Sequence, residues 1–147
     1  MKLHFQSDLA YQKDAIDAVV GLFEGQTADD MDAFELTSDI PGQFPNKLSL
    51  SEEQILKNLH EVQAKGELPL SSSLDGMHFS IEMETGTGKT YVYLRTIYEL
   101  NRQYGFRKFV IVVPSVAIRE GVLKNLDITH DHFQNLYDHV PIRYYVY

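Results

Sequence analysis

The chain contains no cysteine, which excludes a disulfide framework and any thiolate metal site. It also lacks a long apolar run. None approaches the roughly 20 residues that a membrane helix needs, and the opening MKLHFQSDLAYQK has no apolar signal segment. The expectation is a cytoplasmic protein without a membrane partner. Bases are scarce: 13 Lys and Arg stand against 21 Asp and Glu, for a formal net charge of −8. From Glu24 to Glu53 eight acids face one base, Lys47, so this stretch alone carries −7. Phosphate contacts need Lys and Arg, so a stand-alone nucleic-acid binder is a poor fit to this balance. The acids show no regular ligand spacing and read as a solvated loop rather than a metal site. His130, His132 and His139 come late in the chain without a fourth partner to close a zinc site, and no metal is assigned to them.

What is present is 44% hydrophobic residues over 147 positions, enough for one packed domain. Leu9 to Phe23 is apolar at helical spacing through Ile16, Val19, Val20 and Phe23, with Asp8 as the expected N-cap. Residues 24–50, punctuated by Gly25, Pro41, Gly42 and Pro45, read as an acidic insertion. Ser51 and Gln54 have capping-box spacing, and Leu50 with Ile55 can form a hydrophobic staple at the start of a second helix. Gly66 ends that helix, and 66–76 is a connection. Residues 1–76 are thus expected as an N-terminal helical segment, and 77–147 as a second unit.

The most informative stretch is Met83-Glu-Thr-Gly-Thr-Gly-Lys-Thr90. It follows an apolar run from Met77 that reads as a strand and precedes a helical pattern over Lys89 to Tyr104, with Gly105 at its end. A glycine loop between strand and helix is the setting of a phosphate-binding P-loop. Gly86 and Gly88 let the backbone turn tightly and approach an anion. Lys89 can reach the outer phosphates, and the Thr90 hydroxyl sits where it can ligate Mg²⁺. Met83 occupies the position of the motif's first glycine. Phe109 to Val113 is a β-branched run of the kind buried on both faces of a parallel sheet. Val116 to Leu126 continues as helix, Thr129 to Tyr137 as a short second helical stretch, and Ile142 to Tyr147 as a third strand. The expected fold is α/β, with a parallel βαβαβ sheet behind N-terminal helices.

METGTGKTYVYLRTIYEL and KFVIVVPSVAIREGVLKNL together resemble the restriction (Res) subunit of Type III restriction-modification enzymes, which are superfamily 2 helicase-like ATPases. The resemblance implies part of a RecA-like lobe that binds ATP and Mg²⁺. Thr85, Gly86, Thr87, Gly88, Lys89 and Thr90 match the nucleotide motif, with Lys89 and Thr90 in catalytic roles and Thr90 on the metal. Gln12 looks like the adenine-reading glutamine of such motors. Val113, Pro114 and Ser115 fall on a motif that touches the DNA backbone, and Arg119 is a further phosphate contact. The family implies DNA and a modification methyltransferase subunit as partners. It also implies ATP-dependent translocation and endonucleolytic cleavage by the full-length protein. The D-E-x-[DHC] string that holds Mg²⁺ and orients water in these motors is absent, so the chain reads as an N-terminal portion that binds but does not hydrolyse. Two alternatives stay open: a non-catalytic truncated remnant, or another superfamily 2 DNA or RNA helicase.

Overall fold

A computed structural model describes residues 8–28 and 46–147. The lead-in at Leu3 and Phe5 and most of the acidic insertion lie outside the described residues. Four helices follow in order: α1 (Ala10–Gly21), α2 (Glu52–Lys65), α3 (Lys89–Tyr104) and α4 (Val116–Leu136).

Each helix begins and ends for a local reason. Leu9, rather than Asp8, is the N-cap of α1, and no side chain caps it. At α2 the capping box forms in full: the Gln54 N–H donates to Ser51 Oγ at 3.3 Å, and the Ser51 N–H donates to Gln54 Oε1 at 2.9 Å. Helix α3 has the bounds expected from sequence. Gly88 caps its start and Gly105 its end, both in the left-handed region where a Cβ would be strained. Ser115 caps α4 through a 3.3 Å bond from the Ile118 N–H. That helix is continuous where two were expected. Val122, Thr129 and Phe133 are all buried, so the apolar stripe runs through the expected break. Thr129 fits within it because its hydroxyl donates to the Asn125 carbonyl at 2.6 Å, hiding its polarity.

Helix α3 is the hub. On one side Ile16 and Val20 of α1 pack with Val92, Leu100 and Tyr104 of α3 and with Phe106. On another, Tyr91, Leu94 and Tyr98 pack with Phe133 of α4 and Tyr137 beyond it. Helix α2 closes on α1, where a Cβ at Gly21 would stand 3.2 Å from the Val62 side chain. Asn58 of α2 is buried and donates to the Leu22 and Glu24 carbonyls at 3.0 and 2.9 Å, satisfying the end of α1. Two further polar side chains tie distant loops. Gln26 accepts from the Ser49 backbone at 2.9 Å, and Asn46 accepts from the Arg107 and Lys108 N–H groups at 2.9 and 3.1 Å.

The expected parallel βαβαβ sheet is not formed: the described residues contain helices and no strand. A strand exists only where a neighbour completes its ladder of hydrogen bonds, and no ladder joins 77–83, 109–113 and 142–147. Apolar periodicity reports what a segment could bury and is silent on whether a partner lies beside it. The run at 109–113 is not enclosed on both faces, since Val110 and Val112 are 88% and 87% exposed. Phe109 and Ile142 instead pack singly against the two helical clusters. A cavity of about 390 Å³, lined by Leu94, Ile97, Phe109, Ile142 and their neighbours, lies where α3 meets these segments.

The α3–α4 seam carries a polar chain. Arg95 Nε donates to the Tyr137 hydroxyl at 3.2 Å, which donates to Glu99 Oε1 at 2.8 Å; Arg102 and Gln103 donate to Glu99 Oε2 at 2.7 and 3.0 Å. Burial pushes the Glu99 carboxyl up. Hydrogen bonds from Gln103, Arg102 and Tyr137, with the Arg102 charge, outweigh it and hold the carboxyl below the usual range. Burial is also the largest influence on Tyr137, whose hydroxyl is held well above its ordinary value. A carboxyl lowered in the folded state adds stability above its unfolded pKa of about 4.3, and that stability is lost as pH falls through the lowered value. Acid titration followed by urea unfolding is expected to show this loss below about pH 4, and Glu99→Gln should flatten it. An unchanged slope in Glu99→Gln would exclude Glu99 as its source.

Candidate functional site

The glycine loop leads directly into α3. Thr85 and Gly86 form its turn, and Gly86 and Gly88 have φ of 83° and 85°. The first backbone bond of α3 runs from the Val92 N–H to the Gly88 carbonyl at 3.0 Å. The N–H groups of Lys89 and Thr90 lie at the helix start, where donors face outward toward an anion. Lys89 is exposed, and Thr90 lies half-buried in the first turn.

The loop also bonds to itself. Thr87 Oγ1 and Lys89 Nζ both donate to the Glu84 carbonyl, at 2.7 and 2.9 Å. Glu84 gave no signal in the sequence because it acts through its backbone. Met83, in place of the motif's first glycine, is half-buried and packs against the α1–α3 cluster. Its side chain anchors the loop's entry to the core, a role that glycine could not fill.

Gln12 is brought to this loop from 75 residues away. It is buried on α1, and its Nε2 donates to the Thr87 carbonyl at 2.9 Å. Pro114 and Ser115 are exposed at the start of α4, and Arg119 is half-buried in its first turn. Their bonds are local: Ser115 caps the helix, and Arg119 pairs with Glu120 at 3.0 Å. His132 faces the Tyr91 hydroxyl at 2.9 Å and belongs to the packing seam. No group of three or more His, Asp or Glu able to hold a metal occurs among the described residues. Nor is any helix among them long and apolar enough to cross a membrane.

The donors present suit a polyphosphate: two glycines at positive φ, one exposed ammonium and the unladdered N–H groups of α3. Comparison with known proteins places the chain in a family. The chain is 34% identical over 139 residues to the Type III restriction-modification enzyme EcoPI Res subunit of Escherichia phage P1, covering 91% of this chain and 14% of the relative. It is 35% identical over 139 residues to the EcoP15I Res subunit of Escherichia coli, covering 90% and 14%. The StyLTI Res subunit of Salmonella typhimurium is 48% identical over 66 residues, covering 44% and 7%. The chain thus spans about a seventh of the length of the first two relatives, 14% in each case. A family model described as Type III restriction enzyme, res subunit matches residues 7–139, and the chain belongs to that family.

Proposed function

We propose that this chain is the nucleotide-binding segment of a Type III Res subunit. Gly86, Thr87, Gly88 and Lys89 would surround the phosphates of ATP, with Thr85 at the rim and Thr90 toward Mg²⁺. The observation that carries this reading is the exposed Lys89 at a helix start, preceded by two glycines at positive φ. Bound Mg²⁺ would neutralise phosphate charge. The chain's own groups bind and orient: amides receive the phosphates, and Lys89 exchanges its bond to the Glu84 carbonyl for a phosphate oxygen.

In the longer polypeptide this segment would serve ATP-dependent translocation on DNA and cleavage, in the cytoplasm, together with a modification methyltransferase subunit. Pro114, Ser115 and Arg119 would lie toward the DNA backbone from the start of α4. The acids that hold Mg²⁺ and orient water during hydrolysis have no counterpart motif in these 147 residues. Calorimetry with Mg-ATP should therefore give saturable, Mg²⁺-dependent heat, while phosphate release by the chain alone stays at background. Absence of saturable heat would end the nucleotide reading. Turnover above background would end the division between binding and hydrolysis.

A further inference from the structure

Gln12 stands apart from the rest of the candidate site because its contact reaches the loop from a distant helix, whereas the other bonds there are local. Its Nε2 donates to the carbonyl of Thr87, the residue between the two loop glycines. A Cβ built on the next residue, Gly88, would lie 2.7 Å from that same Nε2. The amide therefore sits against the loop backbone, in a space that a Cβ at 88 would enter. Gln12 is buried on α1, which is fixed to α3 through Ile16 and Val20, so both ends of the contact rest on packed helices.

Resting on the nucleotide reading, we infer that Gln12 is a positioning residue for the phosphate loop. It holds the Thr87–Gly88 peptide in the geometry that presents its amides to phosphate. A glutamine that reads adenine acts on the base alone. A glutamine that sets the loop acts on every triphosphate, whatever base is attached, and the two roles separate by ligand.

The test compares Mg-ATP, Mg-GTP and Mg-tripolyphosphate by calorimetry on the parent chain, Gln12→Met and Gln12→Ala. Gln12→Met keeps the length and packing without a donor, so a folding defect in Gln12→Ala leaves the test intact. Gln12→Met should weaken all three ligands by a similar factor, about 3- to 10-fold for one lost hydrogen bond. Without ligand, its amide resonances at Gly86, Thr87 and Gly88 should shift while those of α4 stay in place, which general destabilisation would not produce. A loss confined to Mg-ATP, or undisturbed loop resonances, would overturn the inference. If the parent chain bound none of the three, the nucleotide reading would fall, and the loop resonances would still decide whether Gln12 sets the loop.

Discussion

Lys89→Ala is expected to weaken Mg-ATP binding by roughly 10- to 100-fold, the worth of one charge-assisted hydrogen bond. The unliganded chain should keep its stability to within about 0.5 kcal/mol. The split follows from where the side chain lies. Lys89 is exposed and donates to the Glu84 carbonyl at 2.9 Å, so the folded state gains little from it. A phosphate oxygen is a charged acceptor and would bind the same ammonium more strongly than a neutral carbonyl does. Ligand that binds only the folded state raises the unfolding midpoint by mass action. The rise produced by Mg-ATP in the parent chain should shrink or vanish in Lys89→Ala at the same concentration. A variant that bound as tightly as the parent would remove Lys89 from the site and leave the loop without its cation.

Much of this site was legible in the sequence because it is local. The glycines, Lys89 and Thr90 lie within five residues, and the helix they open has the bounds its apolar spacing and Gly105 require. The capping box of α2 was legible for the same reason. What escaped depends on partners far along the chain. Asn46, bonded to residues 107 and 108, and Asn58, bonded to Leu22 and Glu24, look like solvated polar residues until the fold brings those backbones to them. The absent sheet has the same origin: β-branched residues at 109–113 allow a strand, but pairing belongs to two segments at once. Gln12 lies between these cases. Family resemblance implied an adenine-reading role for it, whereas its bond to Thr87 appeared only in three dimensions.

Phe133→Ala is expected to be the most destabilising single change in the described core, at roughly 3–5 kcal/mol. Phe133 is 1% exposed. Its ring centre lies 5.2 Å from that of Tyr91, 5.0 Å from Tyr98 and 6.3 Å from Tyr137, so one side chain fills the seam between α3 and α4. Small domains have folding free energies of about 5–15 kcal/mol, so the change would remove a large part of the total. A smaller loss in Phe133→Leu, which refills much of the volume, would identify the cause as the cavity. Urea unfolding followed by circular dichroism measures both variants. A loss under about 1 kcal/mol in Phe133→Ala would mean that the seam collapses around the gap or holds little of the stability. Hydrogen exchange should place the damage, with amides of α4 losing protection before those of α1. Helix α1 is fixed to α3 through Ile16 and Val20, a separate cluster that Phe133 does not enter. Nucleotide affinity should fall as well, though by less than in Lys89→Ala, because Tyr91 lies two residues beyond Lys89 and its contact with Phe133 steadies the first turn of α3. An affinity loss equal to that of Lys89→Ala would instead make the seam, and not the ammonium, the main determinant of binding.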